Sequence, residues 1–520
     1  QLAWLFQIEH NGAWRWDVQD NTSDGCVALS GPTNENHSWS EELHLGEAFT
    51  TVPASFTVAH DFDGVVANVT DYRREVRSPH RDNAEPSVVF NDYMNTIYGD
   101  PTTEKELPLI EAAGKAGIEI FVIDCGWYDD TGNWWPSVGE WMPSKTRFPG
   151  EKGIVEVIDA IKDAGMIPGI WIEPEVIGVK SPMAQKLPDS AFFQRHGVRV
   201  CDSGRYLLDF RSPEAREHVT RTVDRLIDDF GAVFFKFDYN TIPGVGTDLN
   251  AESVGDGLLE HCRAYLDWLD DLRRRHPDVM IENCGSGAMR ADYAQLSRLD
   301  LQSTSDQCDP LIYAAIAAGA GMTILPEQQG NWGYAQQEMD DETAVFTLAT
   351  GVLGRLYLSG FIDRMTEPRL SLVRDAIALH RCVLADQQHM VPFWPSGLPD
   401  FDGDWLAVGL RHVETDMCDA YVYGESAWNE QAAEQNDQQP QPEDKPDYII
   451  VWRRGGTPSV NMPLDADQTI EQVFPNPAEP DHAPNAKPWT IERMDPETVR
   501  LNAATSKQPS ARIFAIRRRD

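Results

Sequence analysis

The segment FFKFDYN, residues 234–240, sets a lysine, a carboxylate and an amide at alternate positions among aromatic residues. On a strand, a period of two places Lys236, Asp238 and Asn240 on one face and Phe235, Phe237 and Tyr239 on the other. An ammonium group near Asp238 favours the ionised carboxylate, the form a carboxylate nucleophile must take. The plainer reading of the same spacing is a structural ion pair. A second acidic segment, STSDQCDP, covers residues 303–310 and holds Asp306 and Asp309. Asp309 precedes Pro310 and suits a helix N-cap, so Asp306 is the better candidate for proton transfer.

Both segments adjoin short apolar runs, and such runs recur along the chain: SVVF (87–90), EIFVID (119–124), PGIWIE (168–173), AVFFKFD (232–238), VMIEN (279–283), LDLQST (299–304), MTILP (322–326) and GRLYLSG (354–360). Segments with helical apolar spacing and terminal glycines, such as ELPLIEAAGKAG and GIVEVIDAIKDAG, separate them. Strands alternating with helices in this way predict a (β/α)8 TIM barrel over residues 86–385. Barrels of this kind place their chemistry at the C-terminal strand ends. Those ends carry Asn91, Asp124, Glu173, Asp238, Glu282 with Asn283, Asp306 and Glu327. One acid at a strand end is readily a helix cap, but a ring of them points to function, because like charges at close range must be offset. Trp127, Trp134, Trp135, Trp141 and Trp171 crowd the first loops. Aromatic faces suit the apolar faces of sugar rings, with core packing as the alternative.

The flanks read differently. Residues 1–85 read as β, with a hairpin expected at Asn11-Gly12 within WLFQIEHNGAWRWDV and another strand in FTTVPASFTVAH. This predicts part of an N-terminal β-sandwich, entered at Gln1 as if within a longer protein, so that an export signal would lie outside this sequence. Residues 386–520 predict a C-terminal all-β domain from DWLAVGLRH, DAYVYG, DYIIVWRR and ARIFAIRR, with a polar, proline-rich loop near 426–447. A chain of 520 residues exceeds one hydrophobic core, so a multidomain protein is expected. The net charge of −39 disfavours nucleic acid and anionic membranes as partners and leaves neutral ligands unaffected. Eight scattered cysteines without a C-x-x-C pair indicate neither a zinc site nor a disulfide framework, and suggest a reducing, cytoplasmic setting. No apolar run approaches the ~20 residues of a membrane span. No metal and no cofactor are expected, and the reading admits a homo-oligomer.

In combination the motifs resemble the melibiase-type α-galactosidases of clan D, glycoside hydrolase family thirty-six, from about Asn91 to Arg381 and more loosely through both flanks. The resemblance implies a β-sandwich, a (β/α)8 barrel and a C-terminal β domain. It implies that KFDYN carries the nucleophile Asp238 and STSDQCD the acid/base Asp306. It further implies substrate-binding roles for Trp171 in GIWIEPE, for Arg205 in GRYLLDF, for Lys236 and Asn240, and for Cys284, Gly287 and Arg290 in CGSGAMRAD. Two departures fall on the side expected to face C4 and C6 of the sugar. The family's Asp-Asp-Gly-Trp is Asp124-Cys125-Gly126-Trp127 here, and Tyr93 in NDYMN stands where the family has a tryptophan. The implied activity is a retaining exo-α-galactosidase acting on carbohydrate. The alternatives are a same-mechanism hydrolase of an N-acetyl-α-galactosaminide, β-L-arabinopyranoside or α-glucoside, and a transglycosylase like the raffinose synthases. More distant are a metal-dependent barrel hydrolase and an inactive carbohydrate-binding relic.

Overall fold

The computed structural model describes residues 2–22, 24–413, 445–503 and 509–519. At its centre eight parallel strands close into a barrel. They are β1 (Val89–Asn91), β2 (Ile120–Ile123), β3 (Ile167–Ile172), β4 (Phe234–Phe237), β5 (Met280–Asn283), β6 (Leu301–Ser303), β7 (Gln329–Gly333) and β8 (Arg355–Leu358), with β8 pairing back to β1. The period-two expectation holds along them. Phe121, Ile123, Ile170, Ile172, Phe235, Phe237 and Ile281 join the large core outside the barrel wall. Val89, Ile120, Val122, Phe234, Met280, Leu301, Trp332 and Tyr357 fill a separate inner core. The helices are set by ordinary end signals. In Thr103–Ala116 the Thr102 side chain accepts from Lys105 N, and Gly117 closes the helix in the left-handed region at φ 90°.

The seventh strand departs from expectation. MTILP lies in short helical turns, and the strand is QGNWG instead. Glycines let it lie close to its neighbours: a Cβ at Gly330 would stand 3.0 Å from Gln302 O. An apolar-run search passes over such a strand, because adjoining side chains supply the filling.

The N-terminal reading is also corrected. Ala3–Ile8 pairs with Ala54–Ala59, and Arg15–Asn21 pairs with Asp24–Ser30, so no hairpin turns at Asn11-Gly12. That turn is docked on helix Val254–Arg275: Asn11 Nδ2 donates to Cys262 O at 3.2 Å, and a Cβ at Gly12 would lie 2.7 Å from Cys262 Sγ. The two ribbons touch where Phe6 meets Trp16 edge-on at 5.9 Å. Residues 62–85 are not β. Phe62–Val76 is a helix capped by Asp61, burying Val65, Val66 and Val69.

After helix Glu367–Gln387 the chain forms a five-stranded antiparallel sheet and a three-stranded one. Val451, Met462, Trp489, Leu501 and Phe514 form the core between them, as the all-β reading expects. A buried Arg512–Glu342 ion pair at 2.8 Å fastens this domain to the barrel helix Asp341–Val352. The expected strand DAYVYG and residues 426–444 of the expected polar loop lie outside the described residues. Among the described residues no helix is long and apolar enough to cross a membrane.

Candidate active site

Strand β4 delivers Lys236 and Asp238 to the barrel mouth, and four donors converge on the Asp238 carboxylate. Tyr239 N at 2.8 Å and Ser286 N at 3.3 Å donate to Oδ1. Trp171 Nε1 at 3.1 Å and Asn240 Nδ2 at 2.7 Å donate to Oδ2. Donors of this kind stabilise the ionised form. The direct partner of Lys236 is a different acid: Nζ donates to Asp124 Oδ2 at 2.9 Å. Burial would weaken the hold of Lys236 on its proton, but Asp124, then Cys284 and Glu282, raise it well above the ordinary lysine value. Asp124 also accepts from Asn91 Nδ2 at 2.7 Å and from Cys125 N at 2.8 Å.

Two further acids on the inner face are managed separately. Tyr357 Oη donates to Glu282 Oε2 at 2.5 Å, and burial pushes Glu282 up to about 7. Glu173 pairs with Arg205 at 2.5 Å and accepts from Asn240 N at 2.8 Å. Burial still raises it to about 7, against the pull of Arg205. The Arg205 guanidinium lies over the Trp135 ring, 3.5 Å from its centroid, and its Nε donates to Trp135 O at 3.1 Å.

Asp306 follows β6 and reaches solvent at the mouth, yet the protein around its carboxyl withdraws water. That desolvation pushes it up to about 6; Lys236 opposes the shift, and Asp238 and Asp124 add to it. Asp309 takes the other role expected of this segment: its side chain accepts from Leu311 N at 2.9 Å and caps helix Pro310–Gly319. Gly287, at φ 93°, brings the loop after β5 against this segment; a Cβ there would lie 2.6 Å from Ser305 Cα. Cys284 is buried, its N donating to Phe237 O at 2.8 Å.

Several expected ligand-facing residues are braces in the structure. Arg290 donates to Glu175 Oε1 at 2.7 Å and lies over the Tyr239 ring at 3.9 Å, so it holds the β5 loop behind Asp238. Trp127 is fully buried and donates to Trp171 O at 2.9 Å, and Trp141 packs beside it. Trp134 and Trp135 are half-buried at the rim, with Trp134 edge-on to Trp171 at 5.7 Å. Tyr93 is half-buried against Tyr98, with ring centroids 5.7 Å apart. Cys125 is only 2% exposed, and a Cβ at Gly99 would stand 3.0 Å from its sulfur. Burial, then Asp124 and Asp92, push its thiol up, so it stays neutral.

Glu327 does not belong to this ring. It precedes β7, at the opposite end of the barrel, where Arg74 at 2.9 Å and Arg77 at 3.2 Å pair with it. Its placement at the mouth followed from the misplaced seventh strand. The sequence reading left Asp92 out of the ring of strand-end residues, although it adjoins Asn91; its Oδ1 accepts from Asp124 N at 2.8 Å. It also missed Ser286, whose contribution is a backbone N–H and leaves no trace in residue type.

The fold and site together define a (β/α)8-barrel protein with a two-carboxylate centre at the ends of β4 and β6. Residues 51–339, more than half of the chain, match the Melibiase family model, and the chain belongs to that family. It is 26% identical over 339 residues to α-galactosidase Mel36A of Lactobacillus acidophilus, a match covering 62% of this chain and 44% of that protein. It is 25% identical over 371 residues to α-galactosidase 1 of Pediococcus pentosaceus, covering 68% and 49% respectively. The chain thus spans about half the length of these curated relatives. Among solved structures, the α-galactosidase AgaA of Geobacillus stearothermophilus superposes with a TM-score of 0.77 at 16% identity, covering 99% of this chain and 67% of that one. That likeness establishes the shared fold.

Proposed function

We propose that this chain is the catalytic part of a retaining exo-α-galactosidase that releases terminal α-linked galactose from oligosaccharides. The observation that carries the reading is the division of labour between two acids in one mouth. Asp238 receives four hydrogen bonds, while Asp306 is raised to about 6 and so holds a proton in mildly acidic solution. Family membership supports the reading, as do relatives described as α-galactosidases. So does a structural neighbour, AgaA of Geobacillus stearothermophilus, solved with stachyose.

In this mechanism Asp306 gives its proton to the glycosidic oxygen as the C1–O bond breaks. Asp238 forms the new bond to C1, generating a covalent glycosyl-enzyme. Water then attacks C1 while Asp306 takes its proton, and Asp238 leaves as carboxylate. The Lys236–Asp124 pair supplies donors and acceptors for ring hydroxyls, with Trp171 beside the nucleophile. The test is turnover of aryl α-galactosides by the full-length protein; no turnover in a well-folded preparation overturns the reading.

A second reading is favoured by Cys125. A buried neutral thiol is a weak donor and acceptor, and it lies where the family resemblance places a carboxylate gripping O4 and O6. A hydrolase of the same mechanism would then prefer a sugar differing at C4 or C6. Comparing wild type with Cys125→Asp on α-galactoside, α-glucoside, β-L-arabinopyranoside and N-acetyl-α-galactosaminide separates the two. Restoring a charged acceptor is worth roughly 1.5–3 kcal/mol, so relative kcat/KM would move toward galactoside by about tenfold or more.

A further inference from the structure

Behind the candidate active site lies a pair of acids that the mechanism above does not use. Asp92 is 1% exposed and Glu106 0%. Their carboxyls adjoin, and each acts on the other's proton. Asp92 Oδ2 and both oxygens of Glu106 have no protein donor. Two ionised carboxylates in contact, both buried and with three of their four oxygens lacking a donor, would combine like-charge repulsion with heavy desolvation. A single proton held between them relieves both.

We propose that Glu106 is a positioning residue for the glycosidase reaction: as a neutral acid it donates to Asp92, and the pair holds the end of β2, and with it the Asp124–Lys236 ion pair, in register with the site. The inference rests on the proposed glycosidase reading for its consequence on catalysis, though not for the pair itself. The chain of contacts is short. Glu106 binds one side of Asp92, and on the other side Asp92 Oδ1 accepts from Asp124 N at 2.8 Å. The Asp124 carboxylate in turn takes Lys236 Nζ at 2.9 Å and Asn91 Nδ2 at 2.7 Å, and Asn91 Oδ1 accepts from Tyr93 N at 2.9 Å. Glu106 thus locks together the turn carrying Asn91, Asp92 and Tyr93 and the turn carrying Asp124 and Cys125.

The surrounding charges agree. Asp124 from β2 and Lys236 from β4 face Asp92, and Lys105 on its own helix acts on Glu106. Lys236 is committed to Asp124, and Lys105 is half-exposed and paired with Asp100. Burial is the largest influence on both acids and raises both, Asp92 to about 7 and Glu106 well above the ordinary value. Glu106 lies in the first turn of helix Thr103–Ala116, where the helix dipole favours an anion. A neutral acid forgoes that small gain, so its placement serves Asp92 rather than the helix.

The experiment compares Glu106→Gln, Glu106→Leu and Asp92→Asn. Gln keeps a donor toward Asp92, and Asn at position 92 keeps both an acceptor for Asp124 N and a donor toward an ionised Glu106. Both should retain kcat/KM on aryl α-galactoside within about threefold at pH 6, whereas Leu, lacking the donor, should lose about tenfold or more, the scale of one hydrogen bond to a buried charge. As pH rises the unfolded chain gives up the Glu106 proton, while the folded pair, in which burial holds Glu106 well above its ordinary value, keeps it. The stability a raised carboxyl lends in acid is then lost. Wild-type Tm should therefore fall across pH 6–8, and Glu106→Gln should lessen that fall. The infrared difference between wild type and Glu106→Gln should show the loss of one protonated-carboxyl band. Loss of activity in Glu106→Gln equal to that in Glu106→Leu overturns the proposal, as does a Tm profile and infrared band that Glu106→Gln leaves unchanged. If Glu106→Leu does not fold, the Gln and Asn variants decide the matter alone. A wild type without glycosidase activity defeats the functional reading instead, and the unfolding and infrared arms still test the pair.

Discussion

Replacing Asp306 by Ala tests the division of labour between the two acids most directly. The Asp306 carboxyl stands at about 6, raised first by desolvation, lowered by Lys236 and raised again by Asp238 and Asp124. A general acid works when protonated, so its contribution is present below that value and lost as pH rises through it. The protonated fraction is about nine-tenths at pH 5 and about one-tenth at pH 7, which predicts roughly a tenfold fall in kcat/KM over that interval for a substrate with a poor leaving group. Removing the carboxyl should cost about 10²–10⁴-fold on an oligosaccharide, the usual worth of positioned proton transfer. It should cost far less on a dinitrophenyl glycoside, whose leaving group needs no proton. The variant also lacks a base for the second step, so added azide should attack the glycosyl-enzyme and give an α-glycosyl azide, identifiable by proton NMR. Asp309→Ala serves as the control: it removes a helix cap at a cost of about 1 kcal/mol and should leave the alkaline limb in place. Equal losses on good and poor leaving groups, or an alkaline limb that survives in Asp306→Ala, would refute the reasoning.

The other expectations are simpler. Asp238→Asn keeps the shape and removes the nucleophile, so activity should fall by several orders of magnitude; retention of more than about a tenth of the rate would remove Asp238 from that role. Proton NMR of the first-formed sugar should show the α anomer, and a β product would make the enzyme inverting. Prolonged EDTA treatment should leave the rate unchanged, because Lys236 and Arg205 already supply positive charge to Asp124 and Glu173; a loss restored by calcium or magnesium would contradict this. Burial raises Glu282 to about 7, so the stability it lends in acid is lost as pH rises through that value. Glu282→Gln should accordingly show a smaller fall in Tm between pH 6 and pH 8 than wild type.

The features legible in the sequence were those written in side-chain type at short range. KFDYN reads correctly because strand alternation is local, and its inward and outward residues do separate into two cores. Asp309 was legible because a cap before proline is a local motif, and it caps its helix. The misses share one cause: they depend on what lies opposite. The strand QGNWG carries glycines where its neighbours Gln302 and Leu356 approach, so its hydropathy says nothing of its burial. Asn11-Gly12 has hairpin chemistry, but contact with Cys262 uses the turn for docking. Helix Phe62–Val76 buries Val65, Val66 and Val69, β-branched residues that favour strands until a packing surface overrides their propensity.

The apparent excess of acids at the barrel mouth resolves in the same way, and the resolution bears on mechanism. Six strand-end acids and one visible lysine suggest a cluster in need of added cations. In the folded chain Glu327 leaves the cluster for Arg74 and Arg77 at the far end. Glu173 takes Arg205 from a short strand outside the barrel, and Asp124 takes Lys236. Glu282 is held up to about 7 by burial and bonded by Tyr357. Among the described residues, Asp238 and Asp306 form no ion pair. A carboxylate locked to a guanidinium is a poor nucleophile and a poor proton donor, because either reaction must first break the pair. Asp238 is instead held by neutral donors, which leave its oxygens free of any cation, and Asp306 is left at the solvent edge of a desolvated mouth, where it can exchange its proton. Pairing the other acids is what sets these two apart.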